Sequence, residues 1–579
     1  MPTARTGGQI LVDSLHIQGV DMAFGVPGES YLAVLDALHD SPIRFIVNRQ
    51  EGGAAFMAEA YGKLTGRPGI CFVTRGPGAT NASIGIHTAQ QDSTPLIVFI
   101  GQVGNDFVER EAFQEIDYRR MFGQVCKWVA QIDRAERIPE YIARAFQVAT
   151  SGRPGPVVLA LPEDMLTALA SVDDTVRHQP VQAAPTLQHI TQLRDRLAAA
   201  ERPLVLLGGS GWDNAACAAI EQFAERNQLP VACVFRRQDL FDNAHPNYIG
   251  DVGIGINPAL AKRITDADLI LAIGARLGEM TTGGYQLLHA PRPRQQLIHV
   301  HADAQELGRV YQADLMINSG MAQMAAALLA MAPLERHSVQ RQEHVAQARE
   351  AYQTWQTEPA LFADGAMQLN LWRVMHTLRE ALPANTILTN GAGNFASWGH
   401  RFWQYGNRSG ALRTQLAPTS GAMGYGVPAG IAAALLGAQQ EHAQPVLTLT
   451  GDGDFMMNGQ ELATAVQYGA RVLFIVFNNQ MFGTIRMHQE RNYPARVCGT
   501  ELHNPDFAAL ARAYGAWGET VDQTDQFAGA LQRALTRLRE QPGPALIELQ
   551  YDGNLITPSA TLAGIRKTAH AAAGEHGLR

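Results

Sequence analysis

One segment constrains this chain more than any other. A β-branched and apolar run, Val446 to Thr450, ends at Gly451-Asp452-Gly453-Asp454; a helix-like stretch follows, and a second apolar run closes at Val476-Phe477-Asn478-Asn479. That is the pattern of a βαβ unit. Two parallel strands joined by a crossover helix bring their C-terminal ends side by side, so Asp452 and Asn479 are expected on one rim of one sheet. The chain is therefore read as α/β, built on doubly wound parallel sheets.

A carboxylate and an amide carbonyl, joined by a backbone carbonyl near Met481, are hard oxygen ligands that leave positions for water and phosphate oxygens. Such a set suits Mg²⁺ better than Zn²⁺. Gly451 and Gly453 let the backbone approach a diphosphate, and the following helix start adds N–H donors. Asp-Gly alone is an ordinary turn and Asn-Asn an ordinary loop. The two together at this spacing are not, and they resemble the diphosphate motif of thiamine diphosphate enzymes.

The resemblance continues at the other end of the cofactor. A strand-like run, Ile43 to Asn48, leads through Arg49-Gln50-Glu51-Gly52-Gly53 into a helix. Read alone, Glu51 is a first-turn acid complementing the helix dipole. Paired glycines weaken a helix start by roughly 1 kcal/mol each and are better explained by close backbone approach. In the resembled family the matching glutamate bonds the aminopyrimidine and promotes its imino form, which takes the proton from the thiazolium C2. Thr74-Arg75-Gly76-Pro77-Gly78-Ala79-Thr80-Asn81 resembles the loop of the pyrimidine-binding domain. Gly391-Ala392-Gly393-Asn394-Phe395 and Ser420-Gly421-Ala422-Met423-Gly424 resemble the segments that hold the diphosphate, with Met423 as the apolar support beneath the folded cofactor. Without its neighbours, Met423 would be read as core filling. The implied cofactor contacts are thus Gly76, Pro77, Asn81, Ala392, Gly393, Asn394, Phe395, Gly421, Met423, Gly451 to Asp454, Asn479, Met481, Phe482 and Gly483. The implied metal ligands are Asp452, Asn479 and Met481.

At 579 residues the chain holds about three domains of ~150–200 residues. Residues 1–180 are expected to bind the pyrimidine end and 188–332 to form a central α/β domain. Residues 365–560 are expected to bind the diphosphate and metal. A Gln-, Pro- and Ala-rich linker covers about 178–187, and a polar helical connector covers 335–358. The first and third domains share a strand–helix plan. Glycines 208, 209 and 211 follow an apolar strand but lack the Gly-x-Gly-x-x-Gly spacing, so a tight turn explains them. The alanine-rich tail after Pro558, with Lys567, His570 and His576, is expected to fray or to cover a site.

A formal charge of −8 offers no basic face for nucleic acid. No apolar run reaches membrane-spanning length, and no secretory h-region opens the chain. Five scattered cysteines without a CxxC pair suggest neither disulfides nor a zinc site and fit a reducing cytoplasm.

Across nearly its whole length the chain resembles the acetolactate synthase branch. The supporting stretches are Phe24-Gly25-Val26-Pro27-Gly28, Arg49 to Gly52, Gly76 to Asn81, Ala112-Phe113-Gln114-Glu115 and Gly451 to Asn479. The resemblance implies that a 2-oxo acid such as pyruvate adds to C2 of the cofactor and loses CO₂, and that the resulting enamine attacks a carbonyl acceptor. Glu51, Gln114 and Phe113 are the implied catalytic residues. A homodimer or homotetramer with shared active sites is also implied. A non-ligating decarboxylase, or a lyase acting on 2-hydroxyacyl or 2-hydroxy ketone compounds, is the alternative.

Two departures bear on the acceptor. Where acetolactate synthases carry a carboxylate-gripping arginine, this chain has Met280, after Gly274-Ala275-Arg276-Leu277-Gly278-Glu279. Where they carry a selective tryptophan, it has His488. Charge-assisted contacts of the lost kind are worth roughly 1.5–3 kcal/mol each. The same region carries much of the family's FAD surface, so FAD stays open although Arg276 is retained.

Overall fold

The computed structural model describes residues 3–334, 339–363, 367–406, 413–439 and 443–575. They form two compact units, 1–183 and 184–579. The start of the polar connector, 335–338, and His576 lie outside the described residues.

The first unit is built on a six-stranded, wholly parallel sheet. Its order is Arg44–Val47, Met22–Gly25, Gly69–Val73, Leu96–Gln102, Pro156–Pro162, Trp128–Gln131. The inner strands are buried along their full length because helices cover both faces, which is why they read as continuous apolar runs. The helix Glu51–Thr65 starts where the Gln50 side chain accepts the Gly53 N–H at 3.1 Å. It stops at Gly66, whose φ of 69° lies in the left-handed region. A Cβ on Gly52 would stand 3.2 Å from the Asn81 carbonyl, so glycine here does serve a close approach, that of the neighbouring helix Pro77–Asp92.

The second unit holds two further parallel sheets. One runs Tyr248–Val252, Val231–Val234, Pro203–Leu207, Leu269–Ile273, Gln296–His301, Leu315–Asn318. The other runs Gln415–Leu416, Ile387–Asn390, Val446–Gly451, Leu473–Asn478, Ala545–Gln550, Trp517–Val521. Numbered in chain order, the strands of this last sheet and of the sheet in the first unit share the order 2-1-3-4-6-5, so the common plan extends to topology. The central sheet differs. Its order is 3-2-1-4-5-6, that of dinucleotide-binding folds, although the glycine spacing of such folds is missing from its first turn. Gly209 and Gly211 there have φ of 73° and 82°, as a tight turn requires.

Buried bonds join the central sheet's loops to the last sheet. Asp239 accepts the N–H groups of Thr414 (3.1 Å) and Gln415 (3.2 Å). Arg236 donates to the carbonyls of Gly391 (3.2 Å) and Pro418. The connector is the helix Val339–Trp355. The final helix, Leu562–Glu575, is formed rather than frayed, and it packs on the helix Gly483–Asn492. None of the five cysteines is disulfide-bonded. Among the described residues, no helix is long and apolar enough to cross a membrane.

Candidate functional site

In an open α/β sheet, ligands bind outside the carboxyl ends of the strands where the strand order reverses. In the last sheet that point lies between Ile387–Asn390 and Val446–Gly451. A cavity of about 230 Å³ opens there. Ala392, Gly393, Asn394 and Phe395 line it from the end of the first strand, and Gly451, Asp452, Gly453 and Asp454 from the end of the second. Gly421 and Met423 close another wall, and Asn479, Met481, Phe482 and Gly483 enter after Leu473–Asn478. Every expected cofactor contact of this half thus faces one cavity.

Asp452 is buried at 3 % exposure. Its Oδ1 accepts the Gly453 N–H at 2.8 Å, and its Oδ2 accepts from Asn504 Nδ2 at 2.8 Å. Burial pushes this carboxyl above the usual range while those donors pull it back. Asn479 Oδ1 accepts the Met481 N–H at 3.3 Å, which turns the amide into the same turn. Asp454 differs, because protein donors fill its carboxylate. Thr450 Oγ1 bonds Oδ2 at 2.7 Å, and the N–H groups of Gly424 and Ala392 bond Oδ1 at 2.8 and 3.1 Å. Burial pushes Asp454 up to about 6 against these donors.

The glycines around Asp452 have a nearer reason than an incoming diphosphate. A Cβ on Gly451 would meet the Phe395 ring at 2.8 Å, and one on Gly453 the Phe482 ring at 2.6 Å. Two aromatic rings lie against the motif's backbone, and glycine makes room for them. The crossover also departs from a single helix: Asp452–Asn458 is followed by a 3₁₀ turn, Gly459–Glu461, and a second helix, Leu462–Gln467.

Sequence reasoning missed Thr484, Ile485, Phe477, Tyr551 and Asn504. Thr484 Oγ1 donates to Asn394 Oδ1 at 3.0 Å and orients that amide at the cavity wall. Thr484 and Phe477 adjoin motif residues and could have been found by extending the motif. Tyr551 follows the strand Ala545–Gln550 and Asn504 lies in the segment before the helix Phe507–Ala513, where nothing local marks them.

The donor set fits the implied metal. Among the described residues no three His, Cys, Asp or Glu side chains cluster to hold an ion. One carboxylate with amide and backbone oxygens leaves most of a Mg²⁺ shell to water and ligand phosphate. Diphosphate chemistry supplies those oxygens.

In the first unit, Glu51 Oε2 accepts from Asn81 Nδ2 at 2.9 Å, and a Cβ on Gly78 would lie 3.4 Å from Glu51 Oε1. Pro77 opens the helix that carries Asn81. Gly76, at φ 40°, donates its N–H to the Tyr118 hydroxyl at 3.0 Å, and its Cβ position lies 2.9 Å from the Gln114 carbonyl. Glu51 and Asn81 therefore meet, and Gly76 meets Gln114, around one turn. Phe113 is 71 % exposed within its unit, with the Arg75 guanidinium 5.9 Å from its ring centroid. Met280 is 37 % exposed in the loop after Leu269–Ile273, His488 is exposed on the helix Gly483–Asn492, and neither lines the 230 Å³ cavity.

Three family models match the chain: thiamine pyrophosphate enzyme, N-terminal TPP binding domain at residues 5–121; its central domain at 190–328; and its C-terminal TPP binding domain at 391–549. The acetolactate synthase isozyme 2 large subunit of Escherichia coli K12 is 31 % identical over 554 residues, covering 94 % of this chain and 95 % of the relative. The acetolactate synthase large subunit of Parasynechococcus marenigrum is 32 % identical, covering 95 % and 88 %. The mitochondrial acetolactate synthase catalytic subunit of Saccharomyces cerevisiae is 30 % identical, covering 94 % and 81 %. Three parallel-sheet domains, two of them sharing one strand order, with a cavity at the switch point of the last sheet, define an α/β enzyme fold. The chain belongs to the thiamine pyrophosphate enzymes, in their acetolactate synthase-like branch.

Proposed function

We propose that this enzyme decarboxylates a pyruvate-like 2-oxo acid with thiamine diphosphate and Mg²⁺, and joins the resulting two-carbon unit to a carbonyl acceptor. The observation that carries this reading is the convergence of Asp452, Asn479 and the 391–395 loop on one cavity at the switch point. Bound thiamine diphosphate supplies the carbon nucleophile and the electron sink for decarboxylation. In this reading Asp452, Asn479 and the Met481 carbonyl hold the ion, and Asn394 with the glycine loops orients the diphosphate. Met423 supports the cofactor, Glu51 handles the proton of its aminopyrimidine, and Gln114 stands beside Glu51's turn.

The three-domain division at 1–180, 188–332 and 365–560 is part of the same reading. So is assembly as a homodimer or homotetramer in which the Glu51 half of one copy serves the Asp452 half of another. Five cysteines without a disulfide suit a reducing cytoplasm. FAD carries no step here; its expected neighbourhood holds Arg276, 4.0 Å from the buried Glu306.

The acceptor is proposed to be an aldehyde rather than a second 2-oxo acid, because Met280 replaces the carboxylate-gripping arginine and His488 the selective tryptophan. A second reading, decarboxylation ended by proton capture, draws on the same two positions. Mass spectrometry of products from a panel of 2-oxo acids, with and without thiamine diphosphate and Mg²⁺, tests the proposal. Cofactor-dependent CO₂ release with a ligated product is expected, and its absence across the panel would overturn the reading.

A further inference from the structure

A run of side-chain hydrogen bonds crosses the carboxyl ends of four strands in the last sheet and terminates on Asp452. Glu548, wholly buried, accepts from Thr520 Oγ1 (3.0 Å), Gln550 Nε2 (3.1 Å) and Asn478 Nδ2 (2.7 Å). Asn478 Oδ1 in turn accepts from Asn504 Nδ2 at 2.9 Å. The second hydrogen of that Nδ2 goes to Asp452 Oδ2 at 2.8 Å. Both Asn504 protons are therefore spent, one on each neighbouring strand end.

The backbone around Asn504 is fixed from both sides. Leu502 donates its N–H to the Gln480 carbonyl at 2.9 Å. Pro505 holds the residue before it in extended conformation. Asp506 then caps the helix Phe507–Ala513, accepting the Ala509 N–H at 2.7 Å. Asn504 is thus a rigid donor rather than a loop side chain that happens to touch a carboxylate.

A carboxylate rotates in a broad torsional well about its last bond. Mg²⁺ demands near-octahedral geometry and tolerates little misorientation of its ligands. With Gly453 N–H on Oδ1 and Asn504 on Oδ2, that rotation is restrained. We infer that Asn504 is a positioning residue for cation binding, holding Asp452 in the orientation the ion needs through the bridge to Asn478 and Glu548. The inference rests on the reading of Asp452 as an ion ligand.

Calorimetric titration with Mg²⁺ at fixed thiamine diphosphate, on the full-length protein, tests it. Asn504→Ala and the same-sized Asn504→Asp, which turns the donor into an acceptor facing Asp452, are compared with wild type and Asp452→Ala. Loss of such a supporting bond typically weakens metal binding ~10–100-fold. That shift is expected for Asn504→Ala, and a larger one for Asn504→Asp, with apoprotein melting temperatures matching wild type. Unchanged Mg²⁺ affinity in both Asn504 variants, while Asp452→Ala loses it, would overturn the inference and leave the ion site standing. Unchanged affinity in Asp452→Ala would remove the ion site itself. If Asn504→Ala melts early, Asn504→Asp decides. Weakened Mg²⁺ affinity matched by an equal loss of apoprotein stability in both would mark the bond as structural and overturn the inference.

Discussion

Asp454 Oδ1 accepts the backbone N–H of Ala392 at 3.1 Å, so a carboxylate at the end of one strand fastens the loop at the end of its neighbour. The same oxygen takes the Gly424 N–H, and Oδ2 takes the Thr450 hydroxyl. Two loops of the cavity wall hang on this one side chain. Asp454→Ala removes both oxygens and leaves the buried N–H groups of Ala392 and Gly424 without their acceptor, at about 1–3 kcal/mol each. The expected result is a lower melting temperature together with weaker thiamine diphosphate binding in calorimetry. Wild-type values for both would show that the loops hold without it.

Glu51 and Asn81 form the matching contact in the first unit, at 2.9 Å. Glu51→Gln keeps the size and the bond to Asn81 but cannot take up and return a proton. Hydrogen–deuterium exchange at C2 of bound thiamine diphosphate should slow by ~10²–10⁴-fold, the usual worth of a positioned acid or base, while the cofactor still binds. Exchange at the wild-type rate would remove Glu51 from the proton path.

If the two halves of a centre come from different copies, Glu51→Gln and Asp452→Ala proteins should complement each other. Dissociating and reassociating the mixture should restore part of the activity that neither variant has alone. Verified mixed dimers without recovery would argue for centres built within one chain.

The helix that enters the cavity at Gly483 is tied to the C-terminal helix by an ion pair between the buried Glu490 and the partly exposed Arg566. Glu490 Oε2 accepts from Arg566 Nε at 2.8 Å, with further donors from Ala495 N–H (3.0 Å) and Arg486 Nε (3.3 Å). The Arg566 hydrogen bonds hold the Glu490 carboxyl down to about 2, against an ordinary 4.5. A lowered folded pKa stabilises the protein above the ordinary value and loses that stabilisation as the pH falls through the folded one. The melting-temperature gap between wild type and Glu490→Gln should therefore be widest at neutral pH and close as the pH drops from about 4.5 toward 2. A gap independent of pH would contradict this.

The fold and the gathering of the residues from Ala392 to Gly483 were legible because both follow from local pattern. Two apolar runs ending in Gly-Asp-Gly and Asn-Asn require parallel strands, and parallel strands put their ends together. All the expected residues from Ala392 to Gly483 meet at one cavity for that reason. Asn504 and Tyr551 were not legible, because they arrive from strand ends and segments whose adjacency only the sheet order 2-1-3-4-6-5 creates. The packing of Phe395 on Gly451 and of Phe482 on Gly453 was not legible, since a sequence does not show which ring will lie on a given glycine. Nor were the bonds by which Asp454, itself in the cavity wall, holds the loops at Ala392 and Gly424.

The identity of the acceptor tests the proposed function most directly. Pyruvate is supplied as donor, with pyruvate and acetaldehyde at equal concentration as competing acceptors, in the presence of thiamine diphosphate and Mg²⁺, and the products are resolved by mass spectrometry. With Met280 in place of the carboxylate-gripping arginine and His488 in place of the selective tryptophan, discrimination should turn away from the second 2-oxo acid. Acetoin as the main product is predicted, and predominantly acetolactate would contradict the account.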